Sequence, residues 1–385
     1  MLKRLAYCFA TLFVLFSCTR EQVEKKGEGT VSLHFFTDGM QATKAETTLT
    51  YAEMVADGSA IAYTGSGPYV LDLVILIADS EGDIIMTFPD DLLGTGTLES
   101  FKKGTVKLED DELKSFTRTE AEVNFTLPAG NYTVYAFANT AGWDGSKWRL
   151  TGQGESQSAR DYLQTLIKQS AVDDLTFQSL DGKPLRPHRS YLDDDDYTIT
   201  CMPLSAKGSL EVVSSGNGEV SMPLKRCVAK VTAIIKNQTG NALTLYDYQH
   251  VVHGMFPLTG YLMQHAPDYV NPPAPGNLTA NPDFAIDIGK NASMPYSWYV
   301  FPSSAPGGTY TIDIQFTLDD SLPEEDRPQY SYTNLPITNW RAVSIPSLER
   351  NQHITVTTRV SLGLTVSFNF EVSEWDEHDE YVQFE

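Results

Sequence analysis

The sequence predicts an all-β chain made of two tandem antiparallel β-sandwich domains with one short helix in a connecting loop. Three observations carry that prediction. Many short segments alternate apolar and polar residues with period two, turn residues separate them, and only one stretch shows helical spacing. At 385 residues the chain is long enough to bury two cores of ordinary size.

The segments follow one another in order. Val31-Ser32-Leu33-His34-Phe35 alternates, and Leu71 to Ile77 is a run suited to a buried strand. Asp79-Ser80-Glu81-Gly82-Asp83 has the acidic and glycine chemistry of a hairpin turn before Ile84-Ile85-Met86. Glu122 to Leu127 alternates into Pro128-Ala129-Gly130-Asn131, and Tyr132 to Phe137 alternates again, which predicts a second β-hairpin. The helical stretch is Ser158 to Ser170, where Tyr162, Leu163, Leu166 and Ile167 repeat on one face. Strand patterns return at Tyr197–Cys201, Leu210–Val213, Leu224–Ile235, Tyr310–Phe316, His353–Val356 and Leu364–Val372. The division is expected near Ser205 to Ser209, giving an N-terminal sandwich over 31–205 and a C-terminal one over 206–385.

The first residues carry an address. Lys3 and Arg4 precede a twelve-residue apolar stretch, Leu5 to Phe16, too short to span a bilayer comfortably, so residues 1–17 read as a signal peptide. Leu15-Phe16-Ser17-Cys18 resembles a bacterial lipobox, in which the cysteine becomes the acylated first residue of the mature chain. The other reading is ordinary cleavage with Cys18 a bystander. Acyl chains, palmitate among them, contribute about 0.8 kcal/mol per buried CH₂, enough in combination to hold a protein on a membrane. Residues 18–30 are mostly charged or small and read as a lipidated flexible tether.

Composition narrows the partners. With 50 acidic against 28 basic residues the chain carries a formal charge of −22, opposite to what a nucleic-acid partner requires. An aromatic content of 11% argues against disorder. No phosphate-binding loop, nucleophile elbow or H-E-x-x-H occurs, and carboxylates are too common here to mark acid–base chemistry, so no enzymatic activity and no cofactor is expected. His250 and His253 would face opposite sides of a strand, which makes a poor metal pair. Asp193–Asp196 and the acids Asp319, Asp320, Glu324, Glu325 and Asp326 lack a calcium-loop pattern and read as solvated loops. No metal site is expected.

Two strand motifs then carry a family look. Phe125-Thr126-Leu127-Pro128-Ala129-Gly130-Asn131-Tyr132-Thr133-Val134-Tyr135-Ala136-Phe137-Ala138-Asn139 resembles the L-x-x-G-x-Y-x-V-x-A-x-A-N strand pair of Bacteroidales fimbrillins and fimbrial anchor lipoproteins, the subunits of type V pili. Leu224-Lys225-Arg226-Cys227-Val228-Ala229-Lys230-Val231 is similar to their L-x-R-x-V-A-K-V strand. Thr43-Lys44-Ala45, Trp375-Asp376 and the lipobox fit the same pattern. The resemblance implies transthyretin-like sandwiches, export as a lipoprotein to the outer membrane and cell surface, and partners among other fimbrial subunits joined by β-strand complementation. In that family a protease removes the first strand, and a neighbour's extended segment fills the groove. The stalk subunits are cut after an arginine beyond that strand. Here only Lys44 lies just past Val31–Phe36, so it is the candidate processing site. Without an arginine there, an anchor that keeps its lipid is favoured; a lysine-tolerant protease would make the chain a stalk or tip subunit. Both readings stand at this point, as do two for Leu364–Val372, a donor strand or a completed home sheet.

Two further features remain open. Cys201 and Cys227 both lie on apolar faces of an exported chain, where they could form a disulfide or stay as buried thiols. Trp143 and Trp148 flank a glycine-rich loop, and exposed aromatics there would suit a glycan-binding surface lipoprotein, with a host glycan or protein as partner.

Overall fold

The computed structural model describes residues 27–37, 72–88, 101–103, 107–109, 112–115, 120–140, 148–180, 202–245, 250–265, 275–279, 286–318, 322–323, 326–339, 341–361 and 366–374. The signal peptide, most of the tether, Cys18, Lys44, Trp143, Asp193–Asp196 and Cys201 lie outside these residues.

The fold is all-β. Its N-terminal sandwich starts with β1 (Glu28–Thr37), β2 (Leu73–Ala78), β3 (Ile84–Phe88), β4 (Phe101–Lys103), a small ladder of β5 (Lys107–Glu109) with β6 (Glu112–Ser115), β7 (Glu120–Pro128) and β8 (Gly130–Ala138). After β9 (Trp148–Leu150) come α1 (Ala159–Gln164), α2 (Gln169–Asp173) and β10 (Thr176–Ser179), then β11 (Leu204–Val212) and β12 (Asn217–Arg226). One hydrogen-bonded path, β3-β2-β8-β11-β12-β1-β7-β4, folds over on itself at the β11–β12 step. The inward faces meet in a core of Val31, Leu33 and Phe35 against Ile75, Ile77, Phe125, Val134 and Leu210. Period-two alternation is what puts these residues on one face.

Expectation and structure part at three places here. β2 and β3 do form a hairpin, with Asp79 Oδ1 accepting the amides of Glu81 and Asp83 and Gly82 at φ +80°. β7 and β8 do not. β7 pairs with β1 and β4 while β8 pairs with β2 and β11, so the Ala129 turn is an arch between the two sheets. Tyr132 closes it by donating its hydroxyl to the Pro128 carbonyl at 2.7 Å. The single helix predicted over Ser158–Ser170 is two short ones. Ser158 caps α1, but residues 166–168 leave the helix to meet the β2–β3 turn: Ile84 donates to the Ile167 carbonyl, Gln169 donates to that of Gly82, and Asp83 bridges Lys168. Ile167, counted in the apolar stripe, is left 72% exposed. Finally, β11 pairs with β8 and β12 with β1, so both strands belong to the first sandwich. Residues 206–226, expected in the C-terminal sandwich, thus pair within this first sheet path.

The C-terminal sandwich comprises β13 (Ala229–Gln238), β14 (Leu243–Leu245), β15 (His250–Pro257), β16 (Thr259–Tyr261), β17 (Pro275–Thr279), β18 (Ile286–Ile288), β19 (Ser293–Val300), β20 (Ser303–Ser304), β21 (Thr311–Leu318), β22 (Gln329–Pro336), β23 (Ser347–Leu348), β24 (Gln352–Ser361) and β25 (Val366–Glu374). One sheet runs β19-β13-β24-β25; the facing one runs β17-β15-β21-β14-β18, with β22 on β21. The two sandwiches share a plan. β1 lies between antiparallel β7 and parallel β12, and β13 lies between antiparallel β19 and parallel β24.

The junction is continuous core. The outer face of the β2–β8 sheet (Val74, Leu76, Tyr135, Phe137) is covered by α1 and α2 and merges with Val231, Phe256, Phe301 and Val356 of the second sandwich. β16 crosses over to pair with β10. Arg350, 9% exposed, donates to the carbonyls of Leu262 (3.1 Å) and Met263 (2.8 Å), and buried Arg226 donates to Asn351 Oδ1 at 3.2 Å. The buried Cys227 Sγ lies 3.3 Å from the Leu262 carbonyl oxygen.

Arg350→Ala leaves the buried Met263 carbonyl without this donor at about 1–3 kcal/mol, while the Leu262 carbonyl keeps Ser205 and Cys227, so the urea midpoint should fall by an amount equivalent to about 1–3 kcal/mol; an unchanged midpoint contradicts the assigned role. Acid should also loosen the fold through two buried histidines. Burial holds His250 down to a pKa of about 4, and burial together with nearby Lys230 holds His353 down to about 3. Unfolded, both return to the usual value near 6.5, so the unfolded chain binds the extra protons. Stability is then complete above about pH 6.5 and declines as pH falls from there toward about 3. In His353→Gln, denaturation midpoints should depend less steeply on pH between about 6.5 and 4; an unchanged slope removes His353 from the explanation.

Candidate strand-exchange site

The site begins with ten residues, Glu28–Thr37, in which Val31, Leu33 and Phe35 point one way. Val31, Leu33 and Phe35 are wholly buried, and burial of each contributes about 1.5–3 kcal/mol. Ser32, His34 and Phe36 lie on the opposite face, half-buried, with the His34 and Phe36 rings 5.6 Å apart.

β1 is hydrogen-bonded along both edges. On one side it runs antiparallel to β7, from Glu28 opposite Pro128 to Phe36 opposite Glu120. On the other it runs parallel to β12, from Thr30 opposite Asn217 to Thr37 opposite Leu224. An early strand of the chain thus lies in the middle of a sheet. Were it withdrawn, β7 and β12 would each present a row of unpaired amides and carbonyls beside three apolar pockets. That is the arrangement an extended peptide completes by strand addition.

The head of the slot is narrow. The β11–β12 tip, Val213–Gly216, folds over the start of β1: Ser215 donates to the Glu28 carbonyl at 2.8 Å, and Thr30 donates to that of Gly216 at 3.0 Å. Ala129 of the β7–β8 arch donates to the Gly27 carbonyl at 2.7 Å. A Cβ on Gly29 would lie 2.5 Å from the Val213 oxygen and 2.8 Å from Val212 Cγ1, closer than a side chain tolerates. Sequence reasoning picked out β1 by its alternation but missed Gly29 and this tip. A glycine two residues ahead of an alternating run was the available signal.

Of the predicted C-terminal contact segment, residues 366–372 lie in β25, which ends the sheet path and pairs antiparallel with β24. β24 lies centrally, between parallel β13 and antiparallel β25, with Ile354, Val356 and Val360 buried. Its start is held by Arg350 and by the Arg226–Asn351 contact described above. The remaining candidates are scattered. His250 is buried, while His253 is partly exposed with Nε2 2.9 Å from Asp313 Oδ2. Among the described residues, no group of three or more His, Cys, Asp or Glu is placed to hold a metal ion. The side chain of Trp148, like all of Trp143, lies outside the described residues.

The model of the family described as fimbrillin-A associated anchor proteins Mfa1 and Mfa2 matches residues 101–381. A candidate cell adhesion protein from Parabacteroides distasonis is 12% identical with a TM-score of 0.50, over 91% of this chain and 98% of that one. The tip fimbrial protein Mfa3 of Porphyromonas gingivalis, C-terminally truncated, is 11% identical with a TM-score of 0.45, over 90% and 100%. A fimbrilin from the same organism is 11% identical at 0.46, over 91% and 98%. At such identity the first of these is a likeness of fold alone. No curated protein matches.

The slot makes a two-sided prediction about stability. Leu33→Ala, which empties a central pocket, should cost about 2–5 kcal/mol in urea unfolding, whereas Ser32→Ala on the other face should stay within about 0.5 kcal/mol. Equal costs would mean that β1 is not held by its pockets.

Proposed function

The chain belongs to the fimbrillin-A associated anchor protein family and is a fimbrial subunit of the cell surface; on that premise we propose that it is a lipid-held anchor that engages its neighbour by strand complementation at the β1 slot. Cys18 would carry the lipid, residues 19–30 the tether, and Lys44 would stay uncut. β1 then plugs the slot until assembly, when a neighbour's strand displaces it while the chain itself stays uncut.

The observation that carries this reading is the placement of β1. A strand near the chain's start fills the centre of a sheet, held by two ladders and three buried side chains. It can be replaced by any extended segment with the same alternation, because the backbone bonds are indifferent to side-chain identity. The anchor choice has its own support. β24 is pinned at the junction by Arg350 and Asn351, which favours C-terminal strands that remain in the home sheet. Attachment to other fimbrial subunits is implied by the family; that it proceeds through this slot is the proposal. No helix among the described residues is long and apolar enough to cross a membrane, and the proposed hold on the outer membrane is the acylated Cys18.

Surface filaments purified from the producing cell, followed by N-terminal sequencing and mass spectrometry of this chain within them, test the proposal. The expected result is an acylated Cys18 on a chain that retains β1, located at filament bases. A start near Ala45 would instead mean a stalk or tip subunit. Absence from every filament would favour the glycan-binding alternative.

A further inference from the structure

β1 has a near-copy at the other end of the chain. Gly29-Thr30-Val31-Ser32-Leu33-His34-Phe35 reads G-T-V-S-L-H-F, and Gly363-Leu364-Thr365-Val366-Ser367-Phe368-Asn369-Phe370 reads G-L-T-V-S-F-N-F. The Thr-Val-Ser triplet and the final Phe recur at identical spacing, and Phe368 stands for Leu33. The copies differ in two further respects, Asn369 for His34 and the extra Leu364 after the glycine.

That one residue decides whether the copy fits. Laid into the slot with Val366, Phe368 and Phe370 in the pockets of Val31, Leu33 and Phe35, the C-terminal segment brings Leu364 to the Gly29 position. Its Cβ would then meet the Val213 oxygen at 2.5 Å and the Gly216 oxygen at 3.0 Å, both backbone atoms of the β11–β12 tip. The tip is tied to the strand it covers through Ser215 and Gly216, so it does not yield as the end of a flexible side chain would. Sliding by one residue puts Gly363 under the tip but delivers Thr365, Ser367 and Asn369 to three pockets that exclude water entirely. The glycine and the apolar triplet can each be satisfied, but never together.

We infer that the β1 slot rejects this chain's own C-terminal strand and selects a strand from a different fimbrial subunit, one with glycine two residues ahead of three alternating apolar side chains. Specificity comes from a built-in clash against the nearest wrong partner as well as from fit to the right one. The chain therefore does not polymerise with itself through this slot. The inference rests on the strand-complementation reading above.

The test uses the full chain carrying an inserted protease site within residues 38–44, cut after folding so that β1 is held only non-covalently. Three labelled peptides compete for the slot: residues 27–37, residues 363–372, and residues 363–372 with Leu364 deleted. Uptake is read by native mass spectrometry. The first and third peptides should exchange in, and the second should do so at least about tenfold less, a difference of about 1.4 kcal/mol. Equal or greater uptake of the second peptide than of the third overturns the inference while leaving strand complementation intact. Uptake of residues 27–37 alone overturns it too, since the pockets would then not read the C-terminal copy at all. Failure of all three, in mild denaturant as well as in buffer, counts against strand complementation itself.

Discussion

Everything in the N-terminal sandwich depends on one early strand occupying the middle of a sheet. A peripheral strand shares one ladder; β1 completes two, and its inward side chains join Ile75, Ile77, Phe125 and Val134 in a single core. Parallel pairing with β12 joins segments almost two hundred positions apart, a costly closure that the apolar burial must outweigh. A strand so placed is structurally essential, yet residues 38–72 separate it from the next described strand. That combination makes the strand replaceable in principle: the sheet requires an occupant with the right alternation, and its side chains, not its covalent link, hold it.

The second sandwich repeats the plan with a different emphasis. β13 and β24 form the corresponding parallel pair, but here the late strand is fastened at its start. Arg350 reaches the 262–263 carbonyls, Arg226 reaches Asn351, and β16 and β10 pair across the junction. The Phe177 and Phe301 rings meet edge to face at 5.8 Å in the same region. The continuous core means that pulling β24 out would disturb both sandwiches, whereas replacing β1 would disturb the first alone. The asymmetry supports the proposal that β1, and not β24, is the strand exchanged.

The sequence announced the strands far better than their partners. Val31, Leu33 and Phe35 alternate unmistakably, and so do the segments on either side of Ala129. Alternation reports which face is buried but not which strand lies alongside, so an arch was read as a hairpin. Leu224–Ile235 looked like a single strand because its apolar residues continue through the turn at Cys227–Val228, where Arg226 is itself buried. Ile167 matched a helical stripe and was nonetheless drawn out by the neighbouring β2–β3 turn, a tertiary pairing that overrode local spacing. The glycine at position 29 was visible throughout. Its role depends on the Val213–Gly216 tip, which no local pattern connects to it.

The most direct measurement is amide hydrogen exchange on the full chain after cutting within residues 38–44 and washing out the β1 segment. The account predicts that protection is lost along the β1-facing edges of β7 and β12, persists in the β13–β19–β24 sheet, and returns when the segment is added back. Collapse of both sandwiches together, or unchanged protection in β7 and β12, would show that the first strand is not an exchangeable keystone.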